Sequence, residues 1–138
     1  MFLRPELMDE KIRRCRLSAK RIVVVDDSRV VLSVVTDILE AAGHNAVATQ
    51  SGIEANTYIY GQHPPDLILL DVEMPLLNGD KKASIYKADL HLKKTPIILM
   101  SHKTDAEMEE LCQSSGADGY ILKPFEKDAL LELLRKYC

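Results

Sequence analysis

Four hydrophobic runs punctuate the chain, and each ends on residues that carry chemistry. Ile22-Val23-Val24-Val25 leads into Asp26-Asp27, and Asp66-Leu67-Ile68-Leu69-Leu70 leads into Asp71. Pro96-Ile97-Ile98-Leu99-Met100 leads into Ser101, and Tyr120-Ile121-Leu122 into Lys123-Pro124. Short aliphatic runs bounded by turn residues predict strands. Five are expected: Arg21 to Asp26, approximately Asn45 to Thr49, Asp66 to Leu70, Pro96 to Met100, and about Gly119 to Leu122.

Helical periodicity fills the intervals. After the first strand, Ser28 is placed to cap a helix that Gly43 stops, with Val31, Val34, Val35, Ile38 and Leu39 on its apolar face. Ser51-Gly52-Ile53-Glu54 has the spacing of a capping box and opens a second helix ending near Gly61. The loop Met74-Pro75-Leu76-Leu77-Asn78-Gly79 leads to a polar third helix ending near Leu90, with a thin apolar face of Ala83, Tyr86 and Leu90. Thr104-Asp105-Ala106-Glu107 opens a fourth helix that stops at Gly116. The last helix runs from Glu126 to near Tyr137 and turns Ala129, Leu130, Leu133 and Leu134 inward.

Strict alternation of five strands and five helices predicts an α/β domain, a doubly wound parallel sheet covered on both faces. Right-handed crossovers fix most of its topology. Ligands of open α/β sheets bind at the carboxyl ends of strands, near the point where strand order reverses. Three carboxylates, a hydroxyl and an ammonium are expected at that edge, a site suited to a divalent cation and a phosphoryl group.

Composition narrows the function classes. The 138 residues suit one domain. A net charge of −3 leaves no cation surplus for general nucleic-acid binding. No apolar stretch approaches the roughly 20 residues needed to span a bilayer, and residues 1–17 lack the apolar core of a signal peptide. Cys15, Cys112 and Cys138 are odd in number and lack metal-type spacing, so a reduced, cytoplasmic protein is expected, with Cys112 packed in a helix and Cys138 a free terminal thiol.

Residues 1–20 read as an extension or linker ahead of a domain at 21–138. Pro5 could open a helix with Met8, Ile12 and Cys15 on one face, and Lys11, Arg13, Arg14, Arg16, Lys20 and Arg21 form a basic cluster. A solvated linker is the plainer expectation; a contact for an anionic partner or an upstream domain is the sharper one.

An acidic pair after the first strand, an Asp before Met-Pro and Gly after the third, Ser after the fourth and Lys-Pro after the fifth occur here in that order. From about Arg21 to Cys138 the chain thereby resembles the receiver domain of bacterial two-component response regulators. The resemblance implies a flavodoxin-like sheet of order 2-1-3-4-5. It implies that Asp71 is the phosphoacceptor, and that Mg²⁺ is bound by Asp27, Asp71 and the backbone carbonyl of Glu73, with Asp26 acting mainly through water. Lys123, before a cis Pro124, would serve a phosphoryl oxygen or the resting Asp71. Ser101 and Tyr120 would form the switch, reporting to a surface of fourth helix, fifth strand and fifth helix. The donor would be a histidine kinase or a histidine phosphotransfer protein, and the receiver of the signal a downstream target protein or a missing output domain. Such a domain assists its own phosphorylation and dephosphorylation without being an enzyme for another substrate. The chain would then be a stand-alone regulator, a phosphorelay intermediate or a piece of a larger protein.

Some residues depart from the family's usual pattern. His102 stands where a small residue is usual and could hinder access to the site. Glu73 and Lys103 lie at positions that vary and tune the lifetime of the phosphoryl group. The run Glu107, Glu109 and Glu110 reads as a solvated helix face, or as part of the output surface. Two other functions stay open. A Mg-dependent phosphohydrolase of the haloacid dehalogenase type also uses an aspartyl phosphate, but needs Asp-x-Asp after its first strand. A receiver-like binding module would carry the site and leave it unphosphorylated.

Overall fold

The computed structural model describes residues 19–74 and 78–137. The expected helix at Pro5, most of the basic cluster, Cys15, Cys138 and the Pro75-Leu76-Leu77 part of the loop lie outside the described residues. The elements are β1 (Arg21–Val25), α1 (Arg29–Ala41), β2 (Asn45–Thr49), α2 (Gly52–Ile59), β3 (Leu67–Asp71), α3 (Gly79–Ala88), β4 (Ile97–Ser101), α4 (Asp105–Ser115), β5 (Gly119–Leu122) and α5 (Lys127–Tyr137). All pairings in the sheet are parallel, in the order β2-β1-β3-β4-β5. This is the expected flavodoxin-like topology.

Strand alternation sorts the core into two layers. Ile22, Val24, Leu67, Leu69, Ile98 and Met100 face α1 and α5, meeting Val35, Leu39, Leu130 and Leu134. Val23, Val25, Ile68, Leu70, Ile97 and Leu99 face the other way, meeting Ala55, Ile59, Ala83, Tyr86 and Met108 of α2, α3 and α4. The three strands with unbroken apolar runs are the three interior ones, since only they need apolar side chains on both faces. The edge strands β2 and β5 are partly exposed.

Three helix starts are capped as expected. Ser28, Ser51 and Thr104 accept from the backbone N–H groups of Val31, Glu54 and Glu107. The capping boxes are not reciprocal, however. The Glu54 carboxylate accepts from Tyr58 Oη, and that of Glu107 from Thr104 Oγ1. Gly116 ends α4 in the left-handed region at φ 80°, and Gly43 follows α1 at φ 91°.

Some expected core positions are corrected. Leu90 is 86 % exposed because α3 ends at Ala88, two residues before it. Past a helix end the 3.6-residue phase no longer governs direction, and Leu92, in the following turn, is the buried one. Val34 and Ala129 also lie exposed, at the margins of their apolar stripes. Cys112 is a free thiol, half-buried against the core; burial first, then the charge of Asp118, pushes it up. Among the described residues no helix is long and apolar enough to cross a membrane.

Leu92→Ala should cost about 2–5 kcal/mol as a core truncation, while Leu90→Ala should stay within about 0.5 kcal/mol. Urea midpoints of the two variants test this. Equal losses would mean that the chain after α3 runs differently.

Candidate functional site

The strand register assembles the site. Val25 pairs with Leu70 across β1 and β3, so the next residues, Asp26 and Asp71, leave the sheet side by side. Strand order reverses here, with β2 on one side of β1 and β3 on the other, which opens the crevice at the strands' carboxyl ends. Asp71 pairs with Met100, which puts Ser101 one residue further along β4, and Ser101 pairs with Leu122, just before Lys123. One side-chain oxygen from each of Asp26, Asp27 and Asp71 lies within 4.8 Å of the others. Asp26 and Asp71 are buried, and Asp27 is exposed at the mouth.

Among the described residues, one ammonium reaches this acidic cluster. Lys123 Nζ donates to Asp26 Oδ2 at 2.5 Å and lies 3.3 Å from Asp71 Oδ1. Its closer partner is therefore Asp26. The Lys123-Pro124 bond is cis. Asp26 Oδ1 accepts from the Ser28 N–H, and Asp71 Oδ1 from the Glu73 N–H at 3.0 Å. Burial pushes the Asp71 carboxyl above the usual carboxylate range; the Glu73 N–H opposes this, Asp26 adds to it, and Lys123 opposes it. Burial alone would lower Lys123, but the hydrogen bond and charge of Asp26, then Asp71, raise it overall. Both directions follow from an excess of acid over base in a small, dry space. Hard oxygen donors with surplus negative charge fit a divalent cation such as Mg²⁺.

The other two anticipated side chains have partners that the sequence did not reveal. Ser101 Oγ, fully buried, donates to Glu73 Oε1 at 2.7 Å and accepts from the Lys103 N–H at 3.0 Å. Tyr120 Oη donates to Asp105 Oδ1 at 2.8 Å, on the outer side, and this bond above all pushes the phenol up to about 12. Asp26, Asp27, Asp71 and Lys123 thus come together, while Ser101 and Tyr120 are each tied to an acid nearby. His102 is exposed.

A family model for the response regulator receiver domain matches residues 22–135. The chain belongs to the response regulator receiver domain family. The polar-differentiation response regulator DivK of Brucella ovis is 30% identical over 118 residues, 86% of this chain and 95% of that protein. The chemotaxis response regulator CheY4 of Vibrio cholerae superposes with a TM-score of 0.81 at 27% identity, covering 88% of this chain and all of that one. The receiver domain of the Pseudomonas aeruginosa sensor histidine kinase PA1611, solved with a magnesium ion coordinated in its active-site cleft, gives a TM-score of 0.77 at 26% identity over 87% and 98% of the two chains. A receiver domain is a signalling domain, and here it carries the acidic pocket of Asp26, Asp27 and Asp71.

Gly79 belongs to the Met-Pro and Gly pattern after the third strand, which gives no physical reason for a glycine there. The first residue of α3 packs against the backbone of the receiver's central acid: a Cβ there would collide with the Asp71 carbonyl oxygen and stand 3.0 Å from Val72 Cα. Both obstacles are main chain and cannot rotate away. Gly79→Ala should therefore displace the end of β3 and cost about 1–3 kcal/mol, the usual range for overpacking. Unfolding in urea would show it; an unchanged midpoint would mean that the α3 start is free to move.

Proposed function

We propose that this receiver is a phosphorylation-dependent signalling switch that accepts a phosphoryl group on Asp71 from the phosphohistidine of a histidine kinase or histidine phosphotransfer protein. The carrying observation is the buried Asp71 carboxylate set between two further carboxylates and the Lys123 ammonium. Residues 21–138 would act as the receiver unit and residues 1–20 as its extension, in the cytoplasm.

The chemistry follows from the hydrogen bonds. Asp71 Oδ1 already takes the Glu73 N–H and faces Lys123, so Oδ2 is the oxygen left to attack phosphorus. The P–O bond forms as the P–N bond to the donor's imidazole breaks, and a proton from solvent neutralises the departing ring nitrogen. Mg²⁺ held by Asp27, Asp71 and the Glu73 carbonyl, with Asp26 reached through water, would offset the charge of the phosphoryl group; the magnesium in the Pseudomonas receiver's cleft supports this choice of ion. Lys123 would then turn from Asp26 toward a phosphoryl oxygen. Ser101 would donate to another, and Tyr120 would give up Asp105 to follow it inward. That movement reaches a groove between α4 and α5 lined by Glu109, Cys112, Tyr120, Glu132, Leu133 and Tyr137, the surface on which a downstream target or output domain would read the switch. The phosphohydrolase alternative is disfavoured because β1 is followed by adjacent acids, Asp26-Asp27, and not by Asp-x-Asp.

Incubation with Mg²⁺ and acetyl phosphate should add one phosphoryl group by intact mass. The adduct should be absent from Asp71→Asn and from EDTA-treated protein. An adduct that survives Asp71→Asn would place the acceptor elsewhere. Failure to form one with acetyl phosphate and with a phosphohistidine donor would favour the binding-module alternative.

A further inference from the structure

We propose that the Glu73 side chain is a positioning residue that restrains the switch, because its carboxylate competes with the phosphoryl group for the single proton of the Ser101 hydroxyl. This rests on the phosphoacceptor reading of Asp71 and assigns the Glu73 side chain a part separate from its backbone carbonyl.

A serine hydroxyl has one proton to donate. In Ser101 that proton goes to Glu73 Oε1 at 2.7 Å, while the Lys103 N–H occupies an acceptor position on the same oxygen. Its single donor is therefore committed. It cannot also donate to a group on Asp71 unless the Glu73 bond breaks. An ionised acceptor makes the bond stronger than a neutral one, so the restraint is substantial for a group with no exposure to water.

The backbone of Glu73 is itself pinned. Its N–H donates to Asp71 Oδ1, and the residue forms an antiparallel bridge with Asn78. A side chain on such a base returns to the same place, next to the end of β4. The phosphoryl group would therefore do two things at once: use Asp71, from whose carboxylate the Glu73 loop hangs, and take the Ser101 proton from Glu73. Only the fraction of molecules with Ser101 released is competent to close around it, and apparent affinity falls by that fraction.

Glu73 could also weaken anion binding simply by being negative. A double-variant cycle separates these two effects. The probe is beryllium fluoride, which mimics a phosphoryl group on an aspartate, with Mg²⁺ present and binding followed by fluorine NMR. The proteins are the full chain, Glu73→Ala, Ser101→Ala and the double variant. Glu73 is exposed, so its truncation removes no core packing. Glu73→Ala should tighten the apparent Kd about tenfold in the parent chain and by less than about twofold in the Ser101→Ala background. An equal gain in both backgrounds would show that charge alone acts and would overturn the proposal. So would the absence of any gain in the parent chain. If none of the four proteins takes up the fluoride complex, the phosphoacceptor reading itself fails, and the restraint falls with it.

Discussion

Among the described residues, three carboxylates confront one ammonium at the end of the sheet, and the rest of the site is arranged around that imbalance. Asp26, Asp27 and Asp71 cannot approach one another without repulsion, which burial strengthens by excluding water. Lys123 offsets part of it, holding Asp26 and touching Asp71. What remains is a net negative pocket held by a rigid framework. Such a pocket favours a cation, and on the proposed reading a bound cation would offset the charge of a phosphoryl group.

The framework can impose this because its strands are interior and its layers are dry. β1 and β3 are buried along nearly their whole length and bonded to neighbours on both sides. Asp26 sits one residue beyond β1 and Asp71 is the last residue of β3, so the backbone of these two buried acids has little freedom to relieve the repulsion. The N–H groups of Ser28 and Glu73 fold back onto Asp26 and Asp71 and fix the carboxylate planes. Stability of the core is thus what maintains strain in the site. The two remaining hydroxyls, on Ser101 and Tyr120, are held by acids outside the cluster, at Glu73 and Asp105. On the proposed reading, these two hydrogen bonds are the ones that phosphorylation would have to break.

Most of this was legible in the chain because the signals were strong and local. Unbroken aliphatic runs marked β1, β3 and β4 as interior, and the residues following them marked the crevice. Ser28, Ser51 and Thr104 announced their helices. The failures share a cause: they depend on where an element stops or on which of several acids a side chain meets. Leu90 continued a helical phase that had already ended at Ala88. Ala129 is too small to signal burial, and Val34 lies at the edge of its stripe. Glu54 and Glu107 had the spacing of reciprocal caps, yet each carboxylate found a hydroxyl instead. The pairing of Ser101 with Glu73 spans 28 residues and two strands, a proximity that follows only from the assembled register.

The most direct measurement is thermal unfolding of the wild-type chain and of Asp27→Asn, each with and without Mg²⁺. If unbalanced carboxylate charge governs the site, Mg²⁺ raises the wild-type Tm. Asp27→Asn alone then unfolds at a higher temperature than the metal-free wild type, and gains much less from the ion. A wild-type Tm indifferent to Mg²⁺, together with a lower Tm for Asp27→Asn, would contradict the account and return the three acids to the role of helix and loop caps.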